Sequence, residues 1–260
     1  MSRSRKMSGF AVLAAALSFA APIQGQQALD PQIAQVMERA LQDAENFRLQ
    51  LRQSQYEAKM VVQEWDGRGR LRGTANATAI IRPGDRHPMT FVSREVQGKV
   101  RLPSEKDQAK DDDDDKSTLI DFARKHRISE RFDFAMDGRE QVAGESAIKI
   151  RFTPGKRIPE KDRADRFLET ITGTAWVSEG RNRLVKLEMR LMQPFQLFWV
   201  LAVLNECTIK YELIEPGEIL GHAKLRIVYS VATPIYGLKQ QHDVDLDHFR
   251  RRDSMVAEAR

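Results

Sequence analysis

His242-Asp243-Val244-Asp245-Leu246-Asp247-His248 is the densest gathering of side chains that could do chemistry in this chain. Imidazoles and carboxylates at close spacing can ligate a metal or pass protons. On a strand, Asp243, Asp245 and Asp247 share one face at steps of about 7 Å. His242 and His248 share the other with Val244 and Leu246, about 20 Å apart and too far to hold one ion. The stretch therefore reads as a solvated acidic face over an apolar one. No metal site and no cofactor are expected. Elsewhere the chain has no Gly-x-Ser-x-Gly, no glycine-rich phosphate loop, no His-Glu-x-x-His and no Cys-x-x-Cys. With 37 acidic residues, no pair of carboxylates stands out for acid–base work. The single cysteine, Cys207, alternates with Ile209, Tyr211 and Leu213 and reads as an inert buried thiol. No catalytic role is expected of any residue, and the chain is not expected to be an enzyme.

The elements around these residues are mostly strands. Between Phe132 and Met192, Ile148, Ile150 and Phe152 alternate with Lys149 and Arg151. Val185, Leu187, Met189 and Leu191 alternate in turn with Lys186, Glu188 and Arg190. Successive strand side chains point to opposite faces, so each strand has one apolar and one charged face. That pattern belongs to antiparallel sheet with one solvated side. Asp137-Gly138, Gly144, Pro154-Gly155 and Glu179-Gly180 are read as the turns. Pro154 to Asp165 is read as a charged connection, and Leu168 to Val177 as the next strand. Upstream, Tyr56 to Trp65, Leu71 to Ile81 and Met89 to Val100 read as strands. Downstream, Cys207–Ile214, His222–Val231 and Lys239–Arg250 do so.

The N-terminal part differs. Asp30-Pro31 opens a helix running to Arg48 or Arg52, since aspartate caps free amides and proline is tolerated at the first helical position. Its apolar stripe (Ile33, Val36, Met37, Ala40, Leu41, Ala44) is expected to pack on the concave face of the sheet. Before it, Arg3, Arg5 and Lys6 precede an apolar run from Phe10 to Ala21 and small residues to Gly25. That order is the pattern of a secretory signal peptide, cleaved after Gly25 or after Ala21, and the run is well short of the roughly 20 residues that span a bilayer. An uncleaved N-terminal anchor is the alternative reading. Residues 1–25 are thus taken as a signal peptide and 26–250 as one β domain. Residues 102–116 form a disordered acidic loop holding Asp111 to Asp115, and 251–260 a tail. The formal net charge of +5 falls once Arg3, Arg5 and Lys6 leave, which gives no reason to expect nucleic acid as a partner.

Phe195-Gln196-Leu197-Phe198-Trp199-Val200-Leu201-Ala202-Val203-Leu204 is the most apolar stretch after the leader and lacks alternation. It reads either as a segment or short helix lining the mouth of a cavity, or as ordinary core.

Phe132-x-Phe134, Gly138 and Gly144, Ile150-Arg151-Phe152-x-Pro154, Gly173-x-x-Trp176-Val177 and Leu184-Val185-Lys186-Leu187-Glu188 carry a resemblance. With the terminal strands, they make the chain similar to the outer-membrane lipoprotein-sorting family related to the LolA carriers. The resemblance implies a mainly β (α+β) fold: an antiparallel sheet curled into an unclosed barrel, with helices covering the concave side. It also implies a periplasmic, non-catalytic carrier or chaperone that buries acyl chains of lipoproteins or lipids for delivery to the outer membrane. Inner- and outer-membrane transport partners would follow. The alternative is an envelope lipid or lipoprotein sensor acting on a membrane signalling partner. A hydrophobic cavity for such a ligand would be lined from Phe132, Phe134, Ile150, Phe152, Trp176, Leu187, Met189, Phe195, Phe198 and Trp199, because acyl chains need large apolar side chains and few polar groups.

Overall fold

The computed structural model describes residues 30–83, 85, 88–100, 118–155, 158–198 and 202–252. The expected signal peptide, the acidic loop and Trp199 lie outside these residues. Of Phe198 only the backbone is described.

Among the described residues eleven strands form one sheet, and every pairing in it is antiparallel. In chain order they are β1 (Ser54–Asp66), β2 (Leu71–Ile81), β3 (Met89–Gly98), β4 (Phe132–Val142), β5 (Glu145–Pro154), β6 (Ile171–Ser178), β7 (Leu184–Leu191), β8 (Phe195–Phe198), β9 (Ala202–Pro216), β10 (Gly221–Ala232) and β11 (Gly237–Arg251). The spatial order is β3-β2-β1-β11-β10-β9-β7-β6-β5-β4, with β8 folded back onto β9. Among the described residues β3 and β4 end this order with one neighbour each, so the sheet is unclosed. The helices are α1 (Pro31–Arg52), α2 (Leu119–Lys125), α3 (Ile128–Arg131) and α4 (Arg163–Leu168).

α1 starts where the sequence signals it. Asp30 accepts a hydrogen bond from the Gln32 amide, and Pro31 occupies the first turn. Its stripe buries Ile33, Met37, Leu41 and Ala44. Ile33 and Met37 pack on Ile148 and Ile150 of β5, and Leu41 joins the main core. α2 carries a capping box, with Thr118 and Asp121 satisfying each other's backbone amides.

Three details depart from the expected elements. Asp137-Gly138 is not a turn. β4 runs through it, and the register slips between Met136 and Arg139 as a bulge. Gly138 takes φ +94°, which its missing Cβ permits. The hairpin turns instead on Ala143 and Gly144, both at positive φ, the geometry of a two-residue type I′ turn. Second, the connection before β6 contains α4, capped by Asp162, so Leu168 is helical. Third, the described residues after Pro194 are strand, not helix. Phe195 pairs with Leu204 and Phe198 with Ala202 in a short hairpin arm. At the C-terminus β11 runs to Arg251. Arg252 is pinned as well, donating to Asp85 and to the Pro83 carbonyl.

Candidate ligand-binding face

Register assigns every side chain to a face. Ile148, Ile150 and Phe152 stand opposite Val177, Ala175 and Gly173, and these in turn meet Leu184, Leu187 and Met189. Leu187 and Met189 face Tyr211 and Ile209 of β9, which continue to Leu225 and Ile227 of β10. Those meet Val244 and His242 of β11, and these face Met60 and Val62 of β1. One apolar face thus crosses the sheet from β5 to β1, and it is the concave face that carries the helices.

The helices cover it unevenly. Under α1 the packing is close. Met37 and Ala40 of the helix, with Phe134, Ile150, Phe152, Ala175, Val177 and Leu184 of the sheet, enclose a cavity of about 20 Å³. That is room for about one water molecule. The face is less covered on the other half. Met60, Phe91, Cys207, Ile227 and Val244 pack against the core but stay half-buried.

The expected cavity residues therefore divide. Phe134, Ile150 and Phe152 border the small cavity. Phe132 meets Phe152 edge-on at 5.6 Å between ring centres. Leu187 and Met189 lie on the same face, fully packed in the core. Phe195 is buried on β8, its ring edge-on to Phe167 of α4 at 5.3 Å. Trp176 lies on the opposite face, paired with Lys149 and Lys186. Its indole N–H donates to Glu140 Oε2 at 2.8 Å, and the two ammonium groups sit 5.4 and 4.5 Å from the ring centre. The ring is also buried with the main core, so a period-two reading cannot separate it from the residues of the concave face.

Two polar assemblies escaped the sequence reading. The first is on the concave face. Glu64, 5% exposed, accepts from Gln240 Nε2 at 2.7 Å and from Arg72 at 2.9 Å. Gln240, having given its amide N–H, offers its carbonyl oxygen to Tyr229 and to His242 Nε2 at 3.2 Å. His242 therefore carries its proton on Nε2. It stacks on Tyr229, and burial lowers its pKa while the neighbouring Asp243 opposes that shift. Burial likewise pushes the Cys207 thiol up to about 11, so it is a poor nucleophile at neutral pH. The thiol is half-buried.

The second assembly ties the helices together. His126 Nδ1 lies 2.7 Å from Asp165 Oδ1 and 3.8 Å from Asp162. The three could in principle share a cation. Their oxygens are already engaged. Asp165 also accepts the Lys161 amide at 2.8 Å and faces the buried Arg131 at 3.3 Å, while Asp162 caps α4. Arg131 supplies the positive charge, so the donor set fits a structural lock better than a metal. No local spacing signals it, because Asp165 reaches His126 and Arg131 only by folding. The acids of 242–248 do not gather either. Asp243 pairs with Arg226, and Asp245 lies 2.9 Å from His222.

This architecture, an unclosed antiparallel sheet with helices on its concave side and an apolar face between them, defines the class. No family model matches the chain and no curated protein matches it. The fold is similar to three solved structures. A LolA superfamily protein from Nitrosomonas europaea is 11% identical, with 84% of this chain and 92% of that one covered and a TM-score of 0.25. A domain from Vibrio parahaemolyticus described as outer membrane lipoprotein-sorting is 12% identical, with 83% and 93% covered and a TM-score of 0.25. The MucA/MucB complex from Pseudomonas aeruginosa has a chain 10% identical, with 80% and 99% covered and a TM-score of 0.22.

Proposed function

We propose that this protein is a periplasmic carrier that shelters an acyl chain of a lipid or lipoprotein against the concave face, without catalysis. One observation carries the reading: the apolar face extends beyond what α1 covers, leaving Met60, Phe91, Ile227 and Val244 half-buried along β1, β3, β10 and β11. An acyl chain laid there removes water at about 0.8 kcal/mol per methylene. The 20 Å³ cavity under α1 is too small for such a chain, so the ligand takes the half-covered side or displaces the helix. The pole of Gln240, Tyr229 and His242 suits the polar end of such a ligand. Secretion by a cleaved leader, residues 1–25, belongs to this reading.

Native mass spectrometry of protein purified from an envelope extract, followed by organic extraction, tests it. The expected result is a stoichiometric acylated mass that is lost in Ile227→Glu and kept in Lys224→Glu on the opposite face. Protein that is empty, and that also fails to take up a fluorescent fatty acid, overturns the carrier reading.

A sensor acting on a membrane signalling partner is the second reading. The position of β3 at the edge of the sheet among the described residues supports it, because an edge strand can accept a partner's strand. A stable stoichiometric complex recovered from solubilised membranes would select it over the carrier.

A further inference from the structure

At one end of the sheet two turns meet. β1 passes to β2 through Asp66–Arg70, and β10 to β11 through Thr233–Tyr236. Register puts them side by side, since Asp66 pairs with Leu238. They touch through two glycines: a Cβ on Gly237 would fall 2.8 Å from the Gly67 Cα.

The combined tip is apolar where folding gains nothing from it. Ile235 is 96% exposed, Leu71 55% and Tyr236 43%. Single exposed apolar side chains are ordinary, but here three lie on or beside two touching turns at one end of the sheet. The tip is also held rigidly. Thr233 and Tyr236 exchange backbone hydrogen bonds, and the Thr233 hydroxyl accepts the Tyr236 amide at 3.0 Å. Arg72 holds the Tyr236 ring from above, 5.4 Å from its centre, and donates to its hydroxyl.

The surrounding charge is basic. Asp66 is occupied by Arg70 at 2.8 Å, and Glu64 by Arg72 at 2.9 Å. Arg68 and Lys99, the latter bonded through its amide to the Arg72 carbonyl, have no carboxylate partner among the described residues. A protein interface needs about 800 Å² per partner. Three side chains on a convex tip present far less. A bilayer asks only for a small apolar apex, an aromatic at headgroup depth and basic side chains to reach phosphates.

We infer that the tip formed by the 66–71 and 233–237 turns is a docking point for an anionic lipid surface. Ile235 and Leu71 enter the acyl boundary, Tyr236 sits among the headgroups, and Arg68 and Lys99 contact the phosphates. The contact is peripheral and does not depend on an acyl ligand in the concave face.

Vesicle flotation tests it, with phosphatidylcholine alone against phosphatidylcholine containing phosphatidylglycerol. The expected result is association with the anionic vesicles that weakens as salt is raised. Ile235→Asp lowers the affinity about tenfold or more, as does Arg68→Glu combined with Lys99→Glu. Ile235→Leu and Lys224→Glu keep it. The altered side chains are exposed, and circular dichroism and melting temperature check that each variant folds. The inference is overturned if the wild-type protein does not bind anionic vesicles, or if Ile235→Asp binds as tightly as wild type.

Discussion

His242 shows what a single side chain contributes here. It sits on the apolar face, stacked on Tyr229 and bonded to Gln240, and burial lowers its pKa below the ordinary value of about 6.5. The unfolded chain therefore takes up a proton more readily than the folded one. Its contribution to stability is whole above about pH 6.5 and is lost as pH falls through the window between the unfolded and folded pKa values. Replacing it with glutamine should flatten the pH dependence of the melting temperature below neutrality, and a profile as steep as wild type would assign that dependence elsewhere. Arg131 is the opposite case. It is buried with Asp165 at 3.3 Å and Glu169 at 2.5 Å, and its Nε reaches the His126 carbonyl. Arg131→Leu strands a buried carboxylate, and should cost about 3–5 kcal/mol in urea unfolding.

At the scale of elements, β6 depends on a glycine. A Cβ at Gly173 would lie 2.3 Å from the Glu188 carbonyl oxygen and 2.6 Å from the Phe152 ring. Gly173→Ala should cost about 1–3 kcal/mol, because both neighbours are packed. The β4–β5 hairpin holds the converse defect. Ala143 sits at φ +51°, where an alanine is strained. Ala143→Asn should raise stability by about 0.5–1 kcal/mol, read from the midpoint of chemical denaturation with the slope unchanged. The hairpin arm of β8 and β9 shows why an apolar run resists reading. Phe195 is buried against Phe167, a residue of a helix nearly thirty positions earlier that has no periodic signal of its own.

For the whole molecule, the unclosed sheet leaves β3 as an edge, with Val92 66% exposed on it. Such an edge can template pairing with a second chain. Val92→Lys should reduce any concentration-dependent self-association seen by sedimentation, without lowering the melting temperature.

Much of this fold was legible in the chain. Alternation at period two placed β1, β2, β5, β7, β10 and β11 close to their observed limits, because a strand's two faces meet different solvents and each residue records which one it meets. The cap at Asp30-Pro31 and the stripe behind it placed α1. The candidate face was legible only in part. Phe134, Ile150 and Phe152 could be put together from local pattern, since they sit on paired strands joined by one hairpin. Trp176 could not be separated from them, since a tryptophan clamped by two lysines is as buried as one in the core. The Glu64–Gln240–His242 pole, the Arg131–Asp165 lock and the tip joining Leu71 to Ile235 left no trace in sequence. Each joins residues from 34 to 176 positions apart. The sequence by itself determined where most strands run and, Trp176 apart, which of their residues face the apolar side. Only the curling of the sheet decided which of them meet, because that depends on strand order and register, set by packing across the whole chain.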